Sequence, residues 1–409
     1  MVKKSSGEEI PSSLIDAFIE NKESPEEDAA QSSEKTAGNV SVADNTVTFT
    51  PGSKDGSILL TFTYDGSALA GEDAVVFERV RLDSADVIVH ENLEDEAQTI
   101  HHPDGYTEAV YAASGGHMAA AGSRVTIRDR FHYENLLPGK EYVISGKVMR
   151  KPAEGESARE IEAVMVDGDG NEVQEWKFTP DNTDGYEDLY FVINSEELAG
   201  SSAVVFETLQ LISPDLQTRA VIVRHENIDD EDQTIHFPRV RTTAVDKKDN
   251  DHQISHKGTV SVVDKVEYEN LVAGAKYRVK GVLMNKSTGR PAFAGGKEIT
   301  AETVFTAEAP SGSAEVTFRF DSAKLSDGDY VAFETLFECG RDVKEETEIG
   351  SHRDLQDEAQ TVTRRTPRTP HGSPGTGDGS HAAAWLLFLG IAAAGTAVVL
   401  VMRRRKRSQ

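Results

Sequence analysis

Apolar residues recur at alternate positions in short runs along much of the chain. Leu60, Phe62 and Tyr64 form one such run; Val260, Val262, Val266 and Tyr268 form another, and Val316, Phe318 and Phe320 a third. A period of two places each set on one face of a pleated strand, so these runs predict half-buried β-strands. Asp-Gly, Pro-Gly and Asn-rich clusters separate them and predict turns. Two stretches depart from the pattern. Ser12–Asn21 is expected to form a short helix. Ala382–Met402 is uncharged and long enough to cross a bilayer as a helix. Arg403, Arg404, Arg405, Lys406 and Arg407 follow it, which predicts a cytoplasmic tail over 403–409 with everything before the helix outside.

The strand runs belong to a larger repeat. Val75-Val76-Phe77-Glu78 returns as Val204-Val205-Phe206-Glu207 and as Val331-Ala332-Phe333-Glu334. His90, Asn92, Asp95, Gln98 and Thr99 return with the same spacing as His225, Asn227, Asp230, Gln233 and Thr234. His352, Asp354, Asp357, Gln360 and Thr361 make the third copy. A further phrase occurs twice, as Asp129…Tyr133-Glu134-Asn135-Leu136 and Asp264…Tyr268-Glu269-Asn270-Leu271, each running on to Tyr142 or Tyr277. The period is that of a whole domain. The expected fold is therefore all-β: tandem immunoglobulin-like antiparallel β-sandwiches, then a linker and one C-terminal transmembrane helix. The divisions are 1–45, a polar acidic segment expected to be poorly ordered; 46–103, the second half of a sandwich; and 104–237 and 238–363, complete sandwiches. A Pro/Gly-rich linker spans 364–381, ahead of the helix at 382–402.

Composition narrows the function. The chain has 409 residues and a formal net charge of −27, which argues against nucleic acid as a partner. One cysteine, Cys339, excludes an intramolecular disulfide framework. No cofactor motif is present. Ser5–Gln31 is mostly polar and acidic, so no signal peptide is legible after Met1. An export-dependent C-terminus needs one, and the N-terminus is expected to be truncated.

Each complete unit holds the same reactive residue types: Thr107, Asp129, Glu207, His225, Asp230 and Gln233, then Thr242, Asp264, Glu334, His352, Asp357 and Gln360. Glu207 and Glu334 end apolar runs, where a buried carboxylate must be paired or protonated. The pattern closely resembles the ester-bond, or VaFE-type, domains of Gram-positive surface proteins. The resemblance implies that Thr107 and Thr242 attack the side-chain amides of Gln233 and Gln360, expelling ammonia and leaving intramolecular esters. It implies that Asp129 with Glu207, and Asp264 with Glu334, share a proton and polarise the amide. It implies that His225 with Asp230, and His352 with Asp357, help to activate the hydroxyl. The second residue of the family's Thr-Thr pair is Thr243 in one unit and Glu108 in the other. Gln98 has no matching Thr or Asp phrase ahead of it and is expected to stay uncrosslinked.

The segment Ser373, Pro374, Gly375, Thr376, Gly377, with the helix and basic tail behind it, resembles the sorting signal of Gram-positive wall proteins, with Ser373 in place of Leu. The resemblance implies sortase and peptidoglycan as partners, beside the membrane at 382–402 and an unidentified host or bacterial surface ligand. A plain membrane anchor is the alternative. Other readings compete elsewhere. The His-Asp-Gln copies also read as hydrogen-bonded strand ends or metal ligands, although each has one His and no second soft ligand. Asp167-Gly-Asp169-Gly-Asn171-Glu172 resembles the start of a calcium loop but reads better as a β-turn. At the level of the protein, the alternatives to a self-crosslinked adhesin stalk are a ligand-binding module acting through loops such as Lys151–Glu160 or Ser287–Gly296, and a Glu/Asp/His hydrolase.

Overall fold

The computed structural model describes residues 1–11, 15–18, 38–43, 46–56, 58, 60–153, 155–213, 218–339 and 346–367. Among them every long element is a strand. The second and third units are each two sheets enclosing one apolar core, antiparallel except where Gln253–Ile254 pairs parallel with Thr363–Arg364. In the second unit one sheet runs in the order Asp104–Tyr111, Val125–Glu134, Gly185–Ile193, Ala163–Val166. The other is built on Tyr142–Arg150 and Ser201–Ser213, flanked by Thr218–His225 and Thr234–Phe237. The third unit repeats this plan. Arg239–Asp246, Thr259–Glu269 and Gly312–Asp321 form one sheet. Lys276–Asn285, Gly328–Glu338, Thr347–His352 and Thr361–Arg364 dominate the other. The strands that matter below are named by the residue they carry: the Thr strand, the Asp strand, the Glu strand and the His strand, with the Gln just ahead of the last strand.

Alternation sets the core. Along Val125–Glu134 the buried positions are Val125, Ile127, Asp129, Phe131 and Tyr133, and along Thr259–Glu269 they are Val260, Val262, Asp264, Val266 and Tyr268. The same phase that buries the aliphatic side chains therefore carries one aspartate inward in each unit. Tyr142 and Tyr277 close the turn that follows: each hydroxyl accepts a hydrogen bond from a backbone N–H, of Leu137 or Val272, at 2.9 Å.

The first unit is smaller. Asp73–Val75 lies between Val2–Lys3 and Thr99–His101, and Glu78–Leu82 pairs with Ala85–His90. Among the described residues its buried cluster holds Ile10, Leu69 and Ala74, with Met1, Phe62 and Tyr64 packed against it. The helix expected over Ser12–Asn21 does not form: Ile15–Phe18 is a strand paired antiparallel with Thr61–Tyr64. Cross-strand pairing outweighs a weak local preference there. The Asp167 segment is a tight turn, with Asp167 Oδ1 accepting from the N–H groups of Asp169 at 3.0 Å and Asn171 at 2.8 Å. The expected transmembrane helix, the sorting-like motif and the basic tail lie outside the described residues. Among the described residues no helix is long and apolar enough to cross a membrane.

Candidate functional site

In both complete units the Thr strand lies in one sheet, while the Glu, His and Gln strands lie in the other. The Thr strand is held across the gap by one backbone bond: Ala109 donates to the carbonyl of Asp232 at 2.9 Å, and Ala244 to that of Ala359 at 3.0 Å. Two residues earlier on the same face, Thr107 and Thr242 are buried, each 4% exposed. Glu108 and Thr243, one position on, are exposed. The departure at Glu108 therefore lies on the outer face of the strand, away from the threonine.

The remaining residues converge by register. Glu207 pairs with His225 and Glu334 with His352. In each unit a β-bulge falls two residues after the glutamate, between Leu209 and Gln210 and between Leu336 and Phe337. Bulges re-aim the neighbouring side chains, and this one recurs where the histidine must reach across to the other sheet. The glutamine carbonyl receives the N–H of the residue two before the glutamate: Val205 to Gln233 at 3.3 Å and Ala332 to Gln360 at 3.1 Å. Asp230 and Asp357 cap the loop ahead of the glutamine, accepting from the N–H of Asp232 at 3.0 Å and of Ala359 at 2.8 Å.

These contacts bring the sequence-derived residues into one buried cluster per unit. In the second unit Thr107 Oγ1 lies 2.6 Å from His225 Nδ1, and His225 Nε2 lies 3.0 Å from Asp230 Oδ2. In the third, Thr242 Oγ1 lies 3.3 Å from His352 Nδ1, and His352 Nε2 lies 3.2 Å from Asp357 Oδ2. With Nε2–H donating to the aspartate, Nδ1 carries the lone pair and faces the threonine hydroxyl. Thr242 Oγ1 also donates to Glu334 Oε2 at 3.2 Å. The glutamine amides close the cluster: Gln233 Nε2 donates to Asp129 Oδ1 at 3.1 Å, and Gln360 Nε2 donates to Glu334 Oε2 at 2.9 Å and to the Thr242 hydroxyl.

Asp129, Gln233, Asp264, Glu334 and Gln360 are fully buried, and Glu207 nearly so. Burial, reinforced by the neighbouring Glu207, holds Asp129 well above the ordinary carboxylate range, and burial pushes Glu207 up to about 7. In the third unit burial raises Asp264, and burial together with Asp264 holds Glu334 well above its ordinary value. Among the described residues, Asp129 Oδ2, both Glu207 oxygens, both Asp264 oxygens and Glu334 Oε1 have no hydrogen-bond donor. Two ionised carboxylates cannot sit side by side there without donors. One proton held between them makes one acid a donor to the other and removes the like-charge repulsion. Gln233 Oε1 and Gln360 Oε1 are likewise buried and unpartnered. Each pocket therefore contains a neutral acid and an unsatisfied amide carbonyl.

Two participants were not singled out by sequence reading. Gly146 lies directly across from Glu207, and Gly281 across from Glu334. A Cβ at Gly146 would stand 2.4 Å from the Phe191 ring, and one at Gly281 would stand 2.5 Å from the Phe318 ring. The missing side chain lets a phenyl ring from the opposite sheet lie over the strand beside the acid and exclude water. The signal was a repeated Tyr-x-x-x-Gly offset, Tyr142 to Gly146 and Tyr277 to Gly281. Among the described residues no group of three or more His, Cys, Asp or Glu could hold a metal ion.

A family model for the T-Q ester bond containing domain matches residues 13–102, 106–237 and 238–364. No curated protein matches the chain. Among solved structures, a bacterial adhesin from Mobiluncus mulieris containing intramolecular disulfide, isopeptide and ester bond cross-links is 18% identical, covering 31% of this chain and 57% of its own, with a TM-score of 0.25. The C-terminal domain of the Streptococcus agalactiae AgI/II polypeptide BspA is 10% identical, covering 64% of this chain and all of its own, with a TM-score of 0.30. That of the Streptococcus pyogenes antigen I/II-family protein AspA is 9% identical over 65% of this chain, also with a TM-score of 0.30. The chain thus spans little more than half of the Mobiluncus adhesin structure. With three successive matches that together take in most of its length, the chain belongs to the T-Q ester bond domain family.

Proposed function

We propose that the protein is a surface stalk of the adhesin type, whose complete units lock themselves through Thr107–Gln233 and Thr242–Gln360 esters. The observation that carries this reading is the buried cluster built twice over: a threonine hydroxyl against a histidine nitrogen, beside a glutamine amide, beside a buried pair of carboxyl groups.

The chemistry follows from the residues. The imidazole Nδ1 takes the hydroxyl proton as Oγ1 attacks the amide carbon, and Asp230 or Asp357 stabilises the imidazolium that results. The protonated acid donates to the amide oxygen as charge gathers there. The C–N bond then breaks, ammonia leaves with the proton carried over from the hydroxyl, and an O–C ester bond remains. The fold supplies proximity, so each unit reacts once on itself and no substrate diffuses in. This is self-processing without turnover. Closing a loop of this size stabilises by roughly 4–5 kcal/mol in the chain-entropy account. The C-terminal segment fits attachment to a Gram-positive wall: a sortase would read Ser373–Gly377 and join Thr376 to peptidoglycan, with 382–402 in the membrane and 403–409 in the cytoplasm.

Intact mass of the purified chain tests the mechanism. Each ester lowers the mass by about 17 Da through loss of ammonia, so a deficit of about 34 Da is expected. The Thr107→Ala/Thr242→Ala variant should show none. A wild-type chain at its full sequence mass would refute self-crosslinking.

A further inference from the structure

The threonine that follows each glutamine of the repeat has no part in the chemistry above, yet its side chain makes the same contact in every copy. Thr234 Oγ1 donates to the Asp230 carbonyl at 2.5 Å, Thr361 Oγ1 to that of Asp357 at 2.6 Å, and Thr99 Oγ1 to that of Asp95 at 2.8 Å. Among the described residues no other donor reaches the carbonyl of Asp230 or Asp357. Thr234 is fully buried and Thr361 half-buried.

The aspartate held in this way is the one that orients the histidine, and each of its side-chain oxygens is committed. Asp230 Oδ1 accepts from the Asp232 N–H at 3.0 Å, and Oδ2 lies 3.0 Å from His225 Nε2. Asp357 Oδ1 accepts from the Ala359 N–H at 2.8 Å, and Oδ2 lies 3.2 Å from His352 Nε2. Neither aspartate belongs to a strand, so no ladder fixes its place. The loop starts on an Asx turn, with Asn227 Oδ1 accepting from the Asp229 N–H at 3.1 Å and Asp354 Oδ1 from the Gln356 N–H at 2.8 Å. Thr234 and Thr361, by contrast, each open a paired strand: Thr234 lies across from Val204, and Thr361 across from Val331. Both partners sit three residues ahead of the buried glutamate on the Glu strand. The threonine hydroxyl therefore carries the register of the Glu strand across the loop to the aspartate, and through it to the imidazole.

We propose that Thr234 and Thr361 are positioning residues for ester formation. Each touches none of the reacting atoms. Its hydroxyl fixes the aspartate, the aspartate fixes the imidazole, and Nδ1 is thereby held against the Thr107 or Thr242 hydroxyl while the adjacent glutamine presents its amide. Acid, base and amide are then all placed by one strand. Without the hydroxyl the aspartate carbonyl loses its donor, the loop is free to shift, and the imidazole turns away from the nucleophile; a displacement of about 1 Å in such a site can cost about a hundredfold in rate. A hydroxyl that merely capped the strand would affect stability and leave the rate of bond formation unchanged.

This inference rests on the ester chemistry proposed above, and one experiment separates the two. The full chain is made by cell-free synthesis and quenched in acid at intervals, and the peptides linked through Thr107–Gln233 and Thr242–Gln360 are counted by mass after digestion. Thr234→Val should slow the link in the second unit about tenfold or more and leave the rate in the third unchanged. Thr234→Ser keeps the hydroxyl and should restore most of the rate. Asp230→Ala/Thr234→Val should be no slower than Asp230→Ala, because the hydroxyl acts through the aspartate alone. A wild-type rate in Thr234→Val, or a double variant slower than Asp230→Ala, overturns the inference. If Thr234→Val does not fold, Thr361→Val puts the same test to the third unit, where the threonine is only half-buried. Absence of both links in the wild-type chain refutes the ester reading and this inference with it, whereas failure of this inference alone leaves the wild-type links in place.

Discussion

At the scale of the residue, the decisive feature is a carboxyl that keeps its proton in a dry pocket. Glu207 has an ordinary value of 4.5 and a folded value of about 7. Between these the unfolded chain releases a proton that the folded chain retains, so stability falls as pH rises through that window and levels off above it. The effect is about 3 kcal/mol for Glu207 alone. It should appear in the Thr107→Ala/Thr242→Ala variant, where no covalent bond masks it. Urea unfolding at pH 5 and pH 7.5 is the measurement, and equal or greater stability at pH 7.5 would argue that the pair is ionised. Eight of the twelve candidate side chains were legible because their phrases recur in three copies; Asp129 and Asp264 stood in a phrase that occurs twice, and Thr107 and Thr242 followed from the family resemblance. Their proximity was not legible, since Thr107 and His225 are 118 positions apart and lie in different sheets.

At the scale of the element, alternation does most of the work. It buries Asp129 and Asp264 among aliphatic neighbours and turns Glu108 and Thr243 outward. That much follows from a period of two once the strands are known. The bulge and the glycine do not, because both are properties of cross-strand register. Gly281 faces Glu334 only through pairing between strands far apart in sequence. Adding a methyl there would drive a Cβ into the Phe318 ring at 2.5 Å. Gly281→Ala should therefore destabilise the third unit by about 1–3 kcal/mol and slow its ester formation, while the second unit reacts normally. Mass spectrometry of peptides spanning each ester distinguishes the units, and equal rates would show that the ring yields freely. The Ser12–Asn21 segment shows the opposite failure of sequence reading: local composition favoured a helix, whereas partner strand Thr61–Tyr64 decided the outcome.

At the scale of the whole molecule, neighbouring units are joined by a repeated contact. Asn135 and Asn270 sit in the left-handed region, at φ 57° and 64°, and both reach back into the preceding unit. Asn135 Nδ2 donates to Asp73 Oδ1 at 2.8 Å, and Asn270 Nδ2 donates to the Ser201 carbonyl at 2.6 Å and to Ser202 Oγ at 3.1 Å. A histidine completes each joint, His101 against Asp73 at 2.8 Å and His236 against Ser202 at 3.0 Å. Met118 of the second unit packs into the core of the third, where its sulfur accepts from the Tyr277 hydroxyl. Asparagine tolerates the left-handed conformation better than most residues, and its amide makes the cross-joint bonds. Asn270→Ala should cost about 1–2 kcal/mol and loosen the joint without reducing ester formation. Small-angle scattering and the mass deficit check the two halves of that expectation, and an unchanged scattering curve would place the stiffness elsewhere, in Met118.

Only Pro238 separates the last strand of the second unit from the first strand of the third. With both esters formed, Thr107 is bonded to Gln233, and Thr242, nine positions further along, to Gln360. A tensile load entering at Thr107 crosses the first ester, follows the short peptide to Thr242 and crosses the second. The 126 positions from Thr107 to Gln233 lie off that path. Without the bond they would pay out about 400 Å of slack on unravelling. With it, the contour length of the pulled tether is nearly the same whether the sandwiches are folded or not.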